Sequence, residues 1–205
     1  MQRSELAELH YITPTANLLS ILSRGILSYN RVKRVNHQSV AMNEIQDRRA
    51  NVTVPNGRKL HEYVNLYICA RNPMMYKRQA QFKELCVLRV SPDVLDLPGV
   101  VITDGNASSE YTRFSAAPKG LAIVDRDLTF ADDWRDPDEI RYFRKKVAKC
   151  AEVLVPDKVK PDYITGIYVA CGETEAALQD LVKDVAVVIN SHLFFGKAGS
   201  ESWSR

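Results

Sequence analysis

One carboxylate stands among apolar residues in the last third of the chain. Glu152 lies in the stretch VAKCAEVLV, residues 147–155, where apolar side chains flank it on both sides. An ionised carboxylate is costly to bury without a partner. The residues alone favour an ordinary Glu at the exposed edge of a helix or strand. The alternative is a functional carboxylate held at the floor of a cleft.

A basic pair, Arg48 and Arg49, lies late in a long polar stretch that spans residues 28–62. This stretch has little hydrophobic periodicity, and a structureless loop of this length in a compact domain is usually functional or disordered. A guanidinium pairs well with phosphate or with a base that develops negative charge, although most basic pairs are simply solvated. We therefore expect ligands to bind in this stretch.

Two other segments combine residue types that suit nucleotides. Residues 10–13, HYIT, precede the first predicted helix, and groups that lead into a helix amino end can hold a phosphate or a ribose. The alternative is a His-Tyr pair packed against a sheet. Residues 71–78, RNPMMYKR, interleave basic and stackable side chains, which suits a single-stranded nucleic acid. Met74 and Met75 fit equally well as core residues.

The composition is that of one soluble globular domain. The chain has 205 residues, of which 45% are hydrophobic and 26% are charged. No apolar run approaches the roughly 20 residues that span a bilayer, and the opening MQRSE does not begin a signal peptide. The four Cys include no CxxC pair, as expected of reduced thiols. We therefore expect a cytoplasmic location.

The formal net charge of +3 conceals an uneven distribution. Residues 1–90 hold 14 Lys or Arg against 6 Asp or Glu, whereas residues 91–205 hold 14 against 19. The basic half is a candidate anion-binding surface, unless its charges are merely solvated. The sequence contains no glycine-rich phosphate loop, HExxH or GxSxG motif, and its four His lack metal-ligand spacing. Nucleotide hydrolysis, zinc peptidase and α/β-hydrolase chemistry thus lose their main support.

The apolar pattern predicts an α+β fold in which a helix comes first and several strands follow. The first helix has Thr13 as its cap, Pro14 at its first position and Gly25 after its last turn. A second helix begins at residues 136–139, with acids at its amino end, and runs towards Glu152. The other predicted elements are strands at residues 64–70, 85–90, 100–103, 121–124, 164–171 and 185–190, a helix at 174–182, loops at 104–119 and 125–138, and a frayed tail after 196.

In this order and spacing, the segments resemble the DarT family of toxin DNA ADP-ribosyltransferases. The similar pieces run from about residue 9 to residue 190, and their order is more specific than any one piece. They are HYIT (10–13), Asn17-Leu18, Ile21-Leu22, Gly25, Arg49, LHEYV (60–64), Leu66-Tyr67, PMM (73–75), VITDG (101–105), AEVL (151–154) and ITGI (164–167). The resemblance implies one domain over residues 1–205 with the fold of the poly(ADP-ribose) polymerases: a central mixed β-sheet, flanking helices and long NAD-covering and substrate loops.

The resemblance further implies that NAD+ is the co-substrate, without a metal, under a covering loop of roughly residues 30–55. The residues it assigns to NAD+ are His10, Tyr11, Ile12, Thr13, Asn17, Leu18 and Arg49. Family members often have a His directly before the Ile-Thr step. Here Tyr11 holds that position and His10 comes one residue earlier, so the nicotinamide ribose contact is open between them.

The resemblance also implies a chemistry. Glu152 would stabilise positive charge on the ribose and take a proton from the acceptor, while Arg49 would stabilise negative charge on the acceptor base. In thymine-modifying members the acceptor is ring N3, which must leave a stacked duplex, and this favours single-stranded DNA. The predicted DNA contacts are Arg71, Met74, Met75, Arg78, Arg144, Lys145 and Lys149, with residues 104–120 as the substrate loop.

A toxin that blocks replication by modifying DNA implies a partner antitoxin of the DarG kind, whose macrodomain removes ADP-ribose from DNA. This partner follows from the resemblance alone. The alternatives are transfer to guanine in DNA, to RNA or to protein, and a catalytically inert nucleic-acid-binding module built on the basic half.

Overall fold

The computed structural model describes residues 1–39, 42–182 and 184–196, so the predicted tail after residue 196 lies outside the described residues. The strands are β1 Leu9–Pro14, β2 Ile26–Leu27, β3 Tyr63–Tyr67, β4 Leu85–Val90, β5 Val101–Thr103, β6 Phe114–Ala116, β7 Glu152–Pro156, β8 Lys158–Val159, β9 Ile164–Val169 and β10 Val187–Ile189. The α-helices are α1 Leu18–Arg24, α2 Tyr29–Val32, α3 Asn43–Asn51, α4 Pro73–Lys77, α5 Arg126–Phe130, α6 Glu139–Ala148 and α7 Gly172–Gln179. Within this part of the chain, no helix has both the length and the apolar character needed to cross a membrane.

Eight of these strands form one mixed sheet in the order β10-β9-β4-β1-β3-β7-β5-β6. The β9 and β10 strands pair in parallel, and the other described neighbours pair antiparallel. The β2 and β8 strands form a separate two-stranded ribbon. Helices are interspersed without a regular βα repeat, so the predicted α+β class is confirmed.

The central strands bury side chains on both faces of the sheet. Leu66, Leu88 and Val153 belong to the main hydrophobic core on one face. Side chains alternate between the two faces along a strand. Tyr67 follows Leu66 and Glu152 precedes Val153, so both point to the other face. The sheet therefore separates its main core from the face that carries Glu152.

The amino-terminal segment differs from its prediction. Thr13 and Pro14 end strand β1 instead of capping a helix, and α1 begins at Leu18 after a 3-10 turn. Strand β1 is central because it pairs with both β3 and β4. Its six residues are too few for the alternation to be recognised beside a stronger helical pattern. The predicted end of the helix is confirmed, since Gly25 has a φ of 89°, which favours glycine.

The stretch 28–62 is not structureless. It contains α2, α3 and a 3-10 turn at Leu60–Glu62. Among the residues of α3, Arg49 is the buried one, so this helix has no apolar stripe for a periodicity analysis to detect. The residue that faces the interior, Arg49, is charged, whereas a surface helix usually turns apolar residues towards the interior.

One other predicted element is wrong. Residues 121–124 belong largely to a 3-10 turn, Lys119–Ile123, because a short buried apolar run does not by itself distinguish turn, helix and strand. Helix α6 ends at Ala148, and Glu152 begins strand β7. The predicted start of α6 is confirmed, since the Asp138 carboxylate accepts a hydrogen bond from the Arg141 N–H at 2.8 Å. The two predicted loops also contain β6 and α5.

Candidate active site

Three neighbouring strands place His10, Tyr67 and Glu152 in one row across the sheet. His10 lies opposite Tyr67, and Tyr67 lies opposite Glu152. The Glu152 N–H donates to Thr103 Oγ1 at 3.1 Å, and the Thr103 hydroxyl donates to the Gly105 carbonyl oxygen at 2.7 Å. Glu152 is thus fixed at the start of its strand by neighbours on both sides.

Arg49 reaches Glu152 from the last turn of α3. Its Nη1 donates to Oε2 of Glu152 at 3.1 Å and to Oε1 at 3.3 Å. The Arg49 and Glu152 side chains are 7% and 0% exposed. Such burial of a carboxylate requires a charged or hydrogen-bonding partner. The structure therefore brings together the two residues that the sequence singles out as catalytic.

Glu152 is protonated more readily in this site than a carboxylate that is exposed to water. Burial raises the pKa of Glu152, and this effect outweighs the opposing charge and hydrogen bonds of Arg49 and the hydrogen bond from the Ala107 N–H at 3.4 Å. A carboxylate with a raised pKa is a stronger proton acceptor once it is ionised. Burial likewise raises the pKa of Tyr67 well above its usual range, so its phenol stays neutral beside the carboxylate.

A cavity of about 740 Å³ opens beside this ion pair, with Arg49 and Tyr67 in its wall. Its volume lies within the range of small-molecule sites. Nη2 of Arg49 is buried without a hydrogen-bond partner. An unsatisfied buried donor costs about 1–3 kcal/mol, so the wall is suited to a ligand that carries an acceptor. In the described residues, no group of three or more His, Cys, Asp or Glu could hold a metal ion.

Most of the residues predicted to bind NAD+ line this cavity. They are Tyr11, Ile12, Thr13, Asn17 and Arg49. The Asn17 side chain connects two parts of the wall, because its Nδ2 donates to the Gln38 carbonyl oxygen at 2.7 Å and to Thr13 Oγ1 at 3.1 Å. The Gln38 N–H returns a hydrogen bond to Asn17 Oδ1 at 2.9 Å. This part of the predicted covering loop therefore packs on the segment that leads into α1.

Two of the predicted NAD+ residues do not reach the cavity wall. The His10 ring places Nδ1 3.2 Å from the Ile68 carbonyl oxygen and Nε2 3.2 Å from a Glu8 carboxylate oxygen. Leu18 is buried in the main core. Of the two residues considered for the ribose contact, Tyr11 lines the cavity and His10 is engaged elsewhere.

The predicted DNA contacts around α4 divide between cavity and core. Met74 lines the cavity, whereas Met75 is fully buried in a hydrophobic cluster. The prediction that Met75 contacts DNA is therefore wrong, and the alternative, that Met75 is a core residue, is correct. The Arg71 guanidinium lies 4.0 Å from the centroid of the Phe195 ring and donates to the His192 carbonyl oxygen, so it has local partners.

The predicted basic face of α6 is partly present. Arg144 is exposed, and Lys145 is half-buried in an ion pair with Asp136 at 2.7 Å. Arg78, after α4, is also half-buried.

Lys149 does not lie on that face. It is buried, and its Nζ donates to the Thr129 carbonyl oxygen at 2.9 Å and to Cys69 Sγ at 3.2 Å. The prediction of an exposed Lys149 is wrong because α6 ends at Ala148 and the chain then turns into the interior.

Several cavity residues have signals too weak for the sequence to single out. His61 lies in the wall with Nε2 3.0 Å from Gln46 Oε1 and its ring centroid 4.0 Å from that of Tyr29. Burial lowers the pKa of His61, and the charges of Arg49 and Lys33 lower it further, which favours the neutral ring. His61 lies within LHEYV, residues 60–64, one of the segments that resemble the DarT family. That membership is the signal by which the sequence could have identified His61 as a site residue.

Known proteins with this fold have been solved with ligands. The structure "Thermus sp. 2.9 DarT in complex with ADP-ribosylated ssDNA" superposes with a TM-score of 0.82 at 26% identity, covering 95% of this chain and 99% of that one. The structure "Thermosipho africanus DarTG in complex with ADP-ribose" gives a TM-score of 0.81 at 32% identity, covering 92% of this chain and 51% of that one. The class that the fold and the site define is therefore the ADP-ribosyltransferases.

Sequence comparison gives the family. The family model described as "ssDNA thymidine ADP-ribosyltransferase, DarT" matches residues 10–195. A "DNA ADP-ribosyl transferase-DNA ADP-ribosyl glycohydrolase fusion protein" of Thermosipho africanus is 34% identical over 92% of this chain. A "DNA ADP-ribosyl transferase" of Thermus sp. (strain 2.9) is 32% identical over 74% of this chain and 75% of its own length. The chain belongs to the DarT family, and the predicted resemblance and fold are confirmed.

The chain spans about half the length of the Thermosipho fusion protein, 49% of it. That relative joins a transferase and a glycohydrolase in one polypeptide, as its name states.

Proposed function

We propose that this chain transfers ADP-ribose from NAD+ to thymine N3 in single-stranded DNA. The observation that carries the proposal is the buried pair of Arg49 and Glu152 beside a cavity of about 740 Å³. Membership of the DarT family and the relative solved with ADP-ribosylated single-stranded DNA support it.

The residues present fit NAD+. Nη2 of Arg49 is a buried donor without a partner, and Tyr11, Thr13 and Asn17 add polar groups to the cavity wall. A relative has been solved in complex with NAD+. NAD+ supplies an ADP-ribosyl group whose anomeric carbon becomes electron-poor as nicotinamide leaves. The ionised Glu152 carboxylate stabilises that positive charge because it is buried and fixed in place.

The same pair acts on the acceptor base. Thymine N3 is nucleophilic only as its proton leaves, and Glu152 accepts that proton while the bond from N3 to the anomeric carbon forms. Negative charge then spreads onto the flanking carbonyl oxygens, where the Arg49 guanidinium stabilises it. A base in a stacked duplex does not present N3 to this buried site, so the substrate is single-stranded.

The biological role that fits this activity is that of a toxin. Sequence-specific modification of thymine blocks replication in the cytoplasm, and a separate macrodomain antitoxin removes ADP-ribose from the DNA. The Thermosipho relative, named as a fusion of transferase and glycohydrolase, supports this pairing. In this proposal residues 1–205 are one transferase domain.

A labelled NAD+ assay tests the proposal. Purified chain is incubated with single-stranded oligonucleotides that differ in one base, with the matching duplexes, and with RNA and protein. We expect one ADP-ribose mass on thymine-containing single strands alone. Labelling of guanine strands would overturn the base assignment, and labelling of RNA or protein with unlabelled DNA would overturn the substrate class. The absence of any label, with no NAD+ shift of the melting temperature, would favour an inert nucleic-acid-binding module.

A further inference from the structure

Large apolar side chains are exposed together at the mouth of the cavity. Tyr111 is 80% exposed, and Phe143 and Ile140 are 47% and 66% exposed. The Tyr111 and Phe143 rings pack edge to face with centroids 6.3 Å apart, and both residues line the cavity that contains Arg49. Ile140 and Phe143 are three residues apart on α6 and share one helix face. Exposed apolar side chains grouped in this way mark a binding surface.

The backbone beneath Tyr111 is firmly held. The Thr112 hydroxyl donates to the Asn106 carbonyl oxygen at 2.7 Å, and the Ser109 N–H donates to the same oxygen at 2.9 Å. The Asn106 N–H in turn donates to the Val147 carbonyl oxygen at 3.2 Å, which ties this loop to the end of α6. Tyr111 and Phe143 therefore sit on two segments that are bonded to each other.

The same loop is bonded to the catalytic carboxylate. The N–H of Ala107 donates to Oε1 of Glu152 at 3.4 Å. Tyr111 therefore lies four residues along the chain from a backbone group that is bonded to Glu152. This makes the aromatic pair suitable for placing a substrate next to the reacting atoms.

The charge around the pair identifies the kind of ligand. Helix α6 carries four basic residues against one acid, Glu139, although Lys145 is paired with Asp136, and Glu110 adds one acid beside Tyr111. The basic residues are Arg141, Arg144, Lys145 and Lys146. Lys146 lines the cavity with Phe143, while Arg141 and Arg144 are exposed. Exposed rings interleaved with positive charges bind single-stranded nucleic acid, whose bases stack and whose phosphates are neutralised.

We propose that Tyr111 and Phe143 form a stacking platform for the base next to the acceptor thymine. The proposal rests on the function proposed above and adds a substrate-positioning site to it. Stacking is tolerant of base identity, so this platform anchors strands of any sequence. At the flanking position it binds purines more tightly than pyrimidines, because purines are larger and stack better. The acceptor base itself enters the cavity towards Glu152.

Binding is measured first, on a Glu152→Gln background with NAD+ omitted. The probe is a single-stranded oligonucleotide with one thymine and 2-aminopurine on one side of it or the other, because stacking on an aromatic ring quenches 2-aminopurine fluorescence. We expect quenching at one flanking position, its loss in Tyr111→Ala and Phe143→Ala, and its retention in Tyr111→Trp. Leu181→Ala, an exposed apolar residue outside the cavity wall, is the matched control. Equal quenching in Tyr111→Ala and the control would overturn the platform.

Turnover is measured second, with protein that retains the native Glu152. Tyr111→Ala should raise the KM for the oligonucleotide roughly tenfold or more, with the melting-temperature shift by NAD+ retained. Replacing the flanking nucleotide by an abasic residue should raise the KM of the wild type by a similar factor. The same replacement should change the KM of Tyr111→Ala only slightly, because the protein change and the DNA change remove the same contact. Additive losses would overturn the assigned contact. If the wild type labels no DNA at all, the proposed function fails, while the quenching result still decides the platform.

Discussion

Arg49 and Glu152 are 103 residues apart in the chain, yet their side chains meet at 3.1 Å with almost no exposure to solvent. The exposed ion pair of Arg3 and Asp96, at 2.8 Å, has a similar distance but little effect on stability, because water screens it. The buried pair differs because removing one partner leaves the other uncompensated. This relationship makes both residues sensitive probes of the site.

Glu152→Gln should abolish transfer and keep the fold at lower stability, because the buried Arg49 guanidinium loses its charge partner. The amide matches the carboxylate in shape but does not accept the N3 proton or balance positive charge on the ribose. We expect labelling of thymine strands to fall by at least roughly 10²-fold, with an unchanged circular dichroism spectrum. The exposed Glu84→Gln serves as the control. Near wild-type labelling in Glu152→Gln would refute the catalytic role.

Arg49→Met should lower turnover more than it lowers NAD+ affinity. The methionine keeps an apolar stem in the wall but removes the charge that is proposed to stabilise the acceptor. We expect kcat to fall roughly 10²-fold or more, measured with labelled NAD+, and the NAD+ melting-temperature shift to shrink less. Arg24→Ala, exposed at the end of α1, is the control. An unchanged kcat would show that Arg49 does not stabilise reaction charge.

Activity should depend on pH through Glu152. Burial raises the pKa of Glu152 above its ordinary value of 4.5. In the proposed mechanism, activity requires the ionised form. If Glu152 acts as proposed, the rate should fall as pH drops through that raised pKa, which places the acidic limb of the kcat/KM profile above 4.5. Single-turnover labelling across pH 4 to 8 checks this expectation. A limb at or below 4.5 would mean that another group controls the reaction.

Glu8 should contribute to stability against acid. Burial raises its pKa, but hydrogen bonds with His10 and with Arg89 Nε, the latter at 2.6 Å, outweigh that effect and lower the pKa to about 2. Because the pKa is lower in the folded state, this stabilisation is present above about 4.5 and is lost as pH falls through about 2.

The test compares denaturation of the wild type and of Glu8→Gln at pH 7 and at pH 2.5. At pH 7 the variant should be less stable by roughly 1 kcal/mol, since the site is partly exposed. The difference should shrink at pH 2.5. A constant difference at both pH values would remove Glu8 as the cause.

Arg144 and Lys149 should behave differently towards DNA. Arg144 is exposed on α6, whereas the Lys149 ammonium is buried against the Thr129 carbonyl oxygen. Arg144→Ala should weaken oligonucleotide binding and reduce the slope of log affinity against log salt by about 1, while Lys149→Met should leave the slope unchanged. Fluorescence anisotropy at several salt concentrations measures both. A reduced slope in Lys149→Met alone would contradict the burial argument.

The sequence predicted elements well where one physical signal dominates. The run LCVLRV in β4 is apolar on both faces and predicts the strand that is present, and the acidic run 136–139 predicts the start of α6. Prediction failed where two signals compete. The strand β1 was hidden by Pro14 and by the stronger helix that follows, and α3 lacks an apolar stripe because its interior residue is Arg49.

By itself the sequence determined the fold class and the family resemblance, and through that resemblance it predicted Glu152 and Arg49 as the catalytic charges. The tertiary structure decided which residues share a site. It joined α3 to β7 through the buried pair, removed Met75 and Lys149 from the surface, and placed Tyr111 beside Phe143. The physical reason is that composition and spacing act locally along the chain, whereas burial and the pairing of charges depend on contacts between residues that the sequence separates by tens to hundreds of positions.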